Sequence, residues 1–146
     1  MPREDVAPVL RRALVNKGWL RPEHRVGDPT AYMRHVLYVD PESRFVITAI
    51  TWLPGQVSPV HGHQVWCAYG VAEGELTEEQ FRDSHGKLSP LRTSIYRPGE
   101  VAERDFDCST IHRVSNRSRS TIVSLHLYGV AAERLTTGIN RIYKTS

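Results

Sequence analysis

The apolar positions of this chain follow one period near the start and another afterwards. Over residues 6–17, Val6, Val9, Leu10, Ala13 and Leu14 recur at helical spacing and share one face. Asp5 is placed to cap the start and Gly18 to stop the end, which predicts an N-terminal helical segment of about 5–18. Trp19 and Leu20 anchor the exit, and a turn-rich stretch with Pro22, Gly27, Asp28 and Pro29 follows. The helix is expected to cover one mouth or face of a sheet. From Ala31 onward the texture is short β-type runs broken by turn residues. Strands are predicted over 31–39, 44–52, 65–71, 76–81, 91–97, 101–106, 110–114 and 121–128. Turn signals separate them at Asp40-Pro41-Glu42-Ser43, Glu73-Gly74, Asp83-Ser84-His85-Gly86 and Pro98-Gly99. Strands at this density imply an antiparallel sandwich or barrel, spanning about 31–130. The tail, 131–146, is expected to hold a helical turn (131–135) and one last strand (139–143).

Composition narrows the class without changing the pattern. The chain has 146 residues, 40% apolar and 24% charged, which suits one globular domain over 1–146. It contains no apolar run long enough to span a membrane, and Met-Pro-Arg-Glu-Asp at the start lacks the apolar stretch of a secretory signal. Cys67 and Cys108 are therefore expected as thiols, and the location as cytoplasmic. The net charge of +3 comes from arginines scattered among acids. Arg117-Ser118-Arg119, the densest basic spot, reads as a solvated turn, so no nucleic-acid partner is expected.

Candidate chemistry gathers at Pro59-Val60-His61-Gly62-His63-Gln64-Val65-Trp66-Cys67. On a strand, His61 and His63 leave the same face, about 6.5–7 Å apart along the backbone. Two imidazoles so held can close on one metal ion, and His112 is the best candidate for a third ligand. Ser124, His126 and Tyr128 alternate, so they also share one strand face. His24, His35 and His85 are expected at the surface, and Trp52 and Trp66 in the core or a pocket wall.

Gly55, five further residues and His61-x-His63 resemble the first cupin motif, with Cys67 at the usual glutamate place and Gly74 in register. The second motif survives as His112-x-x-x-Asn116, with Asp107 and Ser109 where a proline and a glycine usually stand. Together with Trp52, Pro54-Gly55-Gln56, His112-Arg113-Val114-x-Asn116 and Ser124-Leu125-His126-Leu127-Tyr128, the stretch from Tyr32 to Tyr128 resembles the cysteine dioxygenase family. The fold this implies is all-β: a cupin-type double-stranded β-helix, or jelly-roll barrel, behind a short N-terminal helix.

The resemblance implies Fe(II) on His61, His63 and His112, an oxidoreductase that adds both atoms of O2 to the sulfur of L-cysteine, and a role in cysteine catabolism. Three imidazoles are neutral ligands, so the ion keeps its full charge for an incoming thiolate. Ser124, His126 and Tyr128 match a hydrogen-bonded triad in which Ser124 orients His126 and His126 orients the Tyr128 hydroxyl. Cys67 matches a cysteine that forms a thioether with that tyrosine in mammalian members. Arg34, in Tyr32-Met33-Arg34, matches the substrate-carboxylate arginine, given one inserted residue before Phe45; Tyr32 belongs to the same substrate-binding stretch. Against this, Gly129-Val130 follows Tyr128 where cysteine-selective members continue Ser-Pro-Pro, and Tyr-Gly resembles the relatives acting on 3-mercaptopropionate. A 3-mercaptopropionate dioxygenase, a non-catalytic metal- or ligand-binding cupin, and a zinc cupin with isomerase or hydrolytic activity are the competing readings.

Overall fold

The computed structural model describes residues 6–102, 110–135 and 140–143, which form a helix and two antiparallel sheets. The elements are α1 (Val6–Val15), β1 (Met33–Val39), β2 (Val46–Trp52), β3 (His61–His63), β4 (Cys67–Glu73), β5 (Leu76–Ser84), β6 (Lys87–Tyr96), β7 (Ile111–Ser115), β8 (Ile122–Tyr128) and β9 (Asn140–Ile142). Single 3-10 turns lie at Pro22–Arg25 and Ala132–Arg134. One sheet runs β1-β2-β8-β4 and the other β6-β5-β7-β3-β9. Strands distant in sequence are thus neighbours, as β2 and β8 are, and the chain wraps as the expected jelly roll. No helix among the described residues is long and apolar enough to cross a membrane.

Strand β8 shows why the two sheets enclose a polar interior. It is buried along its whole length. Val123, Leu125 and Leu127 point outward and pack with Ala49, Ala68 and Ala72 beneath Val6, Leu10 and Leu14 of α1. The alternate residues, Ser124, His126 and Tyr128, point between the sheets. The helix therefore covers the outer face of the four-stranded sheet, where small side chains on β2 and β4 leave room for it. A second apolar cluster, built on Trp52, Tyr69, Leu76, Val114 and Ile122, fills the space between the sheets. A third, with Val46, Val65, Cys67, Tyr128, Val130 and Leu135, seals one end.

Several boundaries differ from expectation. Helix α1 stops at Val15, and Trp19 Nε1 donates to Ala13 O (2.7 Å), satisfying a carbonyl that the helix end leaves open. Asp5 lies outside the described residues. Strand β6 begins at Lys87, earlier than predicted, because β5 and β6 form one hairpin in which Ser84 pairs with Lys87. His85 (φ 53°) and Gly86 (φ 87°) make its two-residue turn, both left-handed as such a turn requires. The exposed, polar tip carries no apolar alternation, so the pattern could not reveal it. Of the strand predicted over 101–106, residues 101–102 are described and Val101 bridges Gly70. Phe106, Asp107, Cys108 and Ser109 lie outside the described residues.

Three surface expectations are corrected. His24 is buried, its Nδ1 accepting from the Arg21 N–H (3.0 Å), and its ring meets His35 edge-on at 5.2 Å. His35 is half-buried beside Thr51 (3.2 Å). The 3-10 turn lays His24 against His35 of β1 and Thr51 of β2, which no local pattern announces. His85 is exposed, as expected. Arg117 is not simply solvated: it shares the Glu79 carboxylate with Arg113, at 2.7 and 2.9 Å.

Candidate metal centre

Pairing across β3 and β7 sets His61 directly opposite His112. His63, two residues along the same strand, leaves the same face. All three imidazoles are buried, and one nitrogen of each lies within 4.8 Å of the others. The tautomers follow from the surroundings. His61 Nδ1 faces Pro59 O (2.9 Å) and His112 Nδ1 faces the Glu78 carboxylate (2.8 Å). Both partners can only accept, so both Nδ1 atoms carry protons. The two Nε2 lone pairs are then aimed at one another across 3.1 Å. Such an arrangement calls for a cation between them.

Burial keeps His61 and His63 neutral. It pushes the pKa of His61 down to about 4 and that of His63 to about 2, and the neighbouring His112 lowers both further. At neutral pH their lone pairs are free for a metal. Three imidazole nitrogens suit Fe(II) and Zn(II) alike.

Sequence reasoning missed Glu78. It is fully buried and accepts from Tyr69 Oη (2.6 Å), Gln80 Nε2 (2.9 Å) and Tyr96 Oη (3.3 Å) as well as from His112. Four donors leave no acceptor for a carboxyl proton, so Glu78 is an anion behind a neutral ligand. The negative charge absent among the three ligands stands one bond further out, where it raises the basicity of His112. A signal was available: on β5, Leu76, Glu78 and Gln80 alternate inward, so an acid sat on the face of an apolar residue.

Tyr32, Arg34, Cys67, His126 and Tyr128 line one cavity with the three histidines, and Ser124 stands just behind it. Tyr32 stacks on Trp52 at 4.5 Å. Arg34 pairs with Ile50 across β1–β2, donates to Leu135 O (3.3 Å), and lies 5.4 Å above the Tyr128 ring. Its Nε is buried without a partner. The register between β1 and β2 slips by one residue between Val36 and Tyr38, so a bulge absorbs the extra residue and keeps Arg34 facing inward. Cys67 stands directly opposite Tyr128 across β4–β8 and is a buried thiol.

Ser124 Oγ meets His126 Nε2 at 2.7 Å and also accepts from Trp52 Nε1 (2.9 Å). The rings of Tyr69, His126 and Tyr128 form a stacked row, with interplanar angles of 10° and 14°. His126 and Tyr128 thus meet face to face, with centroids 6.0 Å apart, rather than end to end. Burial holds His126 neutral and raises the Tyr128 pKa, with Cys67 raising it further, so the phenol stays protonated. Asn116 serves the fold instead: its Nδ2 donates to Trp52 O (2.9 Å) and Ser120 O (2.8 Å), stapling the turn after β7. Gly129 lies beneath Trp66, whose indole occupies the space a Cβ would need.

Solved structures with similar architecture include a protein of Thermus thermophilus (20% identity, 76% of this chain and 96% of that one, TM-score 0.59). A cupin 2 conserved barrel domain protein of Salinispora arenicola is also similar (18% identity, 81% and 95%, TM-score 0.55). So is an oxalate oxidase in complex with glycolate (17% identity, 70% and 53%, TM-score 0.54). At these identities they establish the cupin fold alone. The sequence itself matches the cysteine dioxygenase type I profile over residues 19–135, a stretch that takes in every cavity residue described above. The chain belongs to the cysteine dioxygenase type I family.

Proposed function

We propose that this protein is an Fe(II)-dependent thiol dioxygenase acting on L-cysteine, with His61, His63 and His112 as the metal ligands. The observation that carries the reading is the pair of Nε2 lone pairs converging within 3.1 Å, fixed from behind by Pro59 O and Glu78. Bound iron would supply the redox chemistry that joins thiol and O2. The stoichiometry needs no other oxidant: both oxygen atoms of O2 end on sulfur and the thiol becomes a sulfinic acid.

The chain's own residues hold and orient the substrate. The unpaired Nε of Arg34 offers a guanidinium edge to a carboxylate, with the bidentate geometry that a lysine lacks. Tyr128, kept protonated by burial, offers a hydroxyl donor beside Arg34. Ser124, its lone pair engaged by Trp52, can donate its O–H as a hydrogen bond to His126 Nε2, which leaves the imidazole proton on Nδ1. Tyr69 and His126 wall the cavity as a stacked pair and limit water.

Arg34 favours a thiol that carries a carboxylate over simple thiols, and the position of Gly129 under Trp66 accounts for that glycine without a substrate contact. The test is oxygen uptake by Fe(II)-loaded protein with L-cysteine and 3-mercaptopropionate in parallel, with sulfinate quantified. Faster uptake with L-cysteine and stoichiometric cysteine sulfinate is expected. Preference for 3-mercaptopropionate would overturn the substrate assignment. Absence of thiol-dependent uptake with iron bound would overturn the reaction.

A further inference from the structure

His61 and His112 each have an acceptor behind Nδ1; His63 does not. Its Nδ1 is buried and has no hydrogen-bond partner. Arg34 Nε, another donor, shares that condition, and so does one acceptor at the site: Asn140 Oδ1 is also buried and unpartnered. His63 and Asn140 are Cα partners across β3 and β9, so their side chains leave the same face, and both line the cavity. Directly opposed residues of this kind have Cβ atoms about 4.5–5.5 Å apart, within reach of an imidazole and an amide. One orphan is a nitrogen that bears the proton whenever Nε2 is a metal ligand. The other is a carbonyl oxygen that can only accept.

We infer that Asn140 is the positioning residue for His63: with metal bound at Nε2, His63 Nδ1–H donates to Asn140 Oδ1. This rests on the metal-centre reading above and completes it. The three ligands are then held by a backbone carbonyl, a carboxylate and an amide in turn. The terminal torsion of an asparagine is broad, so a modest rotation makes the bond without moving β9. Strand β9 lies beyond residues 19–135, the part matched to the family, so this support is supplied by the chain's own C-terminal segment. It gives a strand of three residues a stake in metal affinity.

The experiment titrates metal-free, full-length protein with Co(II), following ligand-field absorption and competition with a chromophoric chelator. Asn140→Leu removes the acceptor at similar size; Asn140→Asp keeps it. Leucine is expected to weaken Co(II) binding about 10- to 100-fold and to alter the absorption bands, the usual effect of losing such a partner. Aspartate is expected to bind Co(II) at least as tightly as wild type. Wild-type affinity in a folded Asn140→Leu protein overturns the inference, including where only the KM for thiol has risen, which would mark a substrate contact. Equal losses in both variants overturn it too, since they indicate a merely structural role. A His63→Ala control separates the two levels. If it binds Co(II) as wild type does, the metal-centre reading itself fails; if it loses binding, the outcome of the Asn140 variants bears on Asn140 alone.

Discussion

Replacing Glu78 by glutamine isolates the charge behind His112 from the hydrogen bonds around it. Glu78 Oε2 serves Tyr69 and His112, while Oε1 serves Gln80 and Tyr96. A glutamine that keeps its oxygen toward His112 turns its amide toward Gln80 and Tyr96. The Gln80 amide can flip and the Tyr96 hydroxyl can rotate, so the packing and the count of bonds survive. What is lost is the charge. Hydrogen bonds to charged groups contribute about 1.5–3 kcal/mol and neutral ones about 0.5–1.5, a difference of roughly 1–1.5 kcal/mol at His112. Metal affinity should therefore fall about tenfold, with little change in thermal stability. Glu78→Ala is a different perturbation. It strands four buried donors at about 1–3 kcal/mol each, a large share of the 5–15 kcal/mol that holds a typical domain together. That variant should lose stability first. The assay is chelator competition for Fe(II) or Co(II) beside thermal unfolding of the same samples. A Glu78→Gln protein with wild-type metal affinity would refute the idea that this carboxylate supplies charge to the site.

Three further outcomes are expected. Arg34→Gln should cut kcat/KM for L-cysteine about a hundredfold, since removing one member of a buried charge pair costs about 2–5 kcal/mol; cysteamine, which has no carboxylate, should lose far less, and equal losses would remove Arg34 as the clamp. The Asp40 pKa is lowered to about 2, chiefly by its hydrogen bonds to the Arg44 side chain. Being depressed below the usual carboxylate value, it contributes stability that is present above about pH 4 and lost as pH falls towards 2. Asp40→Asn should thus destabilise the β1–β2 turn in urea unfolding at pH 7 and make far less difference at pH 2. Gly129→Ala forces a Cβ into the Trp66 indole and should cost about 1–3 kcal/mol by overpacking, read as a drop in Tm. The preference between L-cysteine and 3-mercaptopropionate should stay unchanged in that variant; a shifted preference would mean that this glycine touches substrate after all.

Local pattern carried much of the site. Period-two alternation put Ser124, His126 and Tyr128 on one face, and a two-residue spacing did the same for His61 and His63, because a strand's geometry is set residue by residue. Motif spacing supplied His112, which no local rule could have linked to a strand some fifty residues earlier. The roles of Glu78 and Asn140 were not legible for a common reason, although alternation on β5 already put Glu78 on the inward face. Each becomes functional only through its partner across a sheet, His112 in one case and His63 in the other. The turn of hairpin β5–β6 was legible, but its length and the burial of His24 were not, because a polar tip and a short 3-10 turn owe their place to what they pack against.

By itself the sequence determined that this chain is built of short strands behind one amphipathic helix, and that its histidines sit where a strand can present them. It also determined the residue types available to the chemistry. Tertiary structure alone decided that β8 turns its polar face inward and its apolar face out under α1, reversing the usual sense of a two-faced strand. The same pairing set His61 opposite His112, Cys67 opposite Tyr128, and an anionic Glu78 behind a neutral ligand. Alternation states which residues share a face; it does not state which face is inside. That choice depends on what covers the sheet, and the covering elements lie far away in the chain.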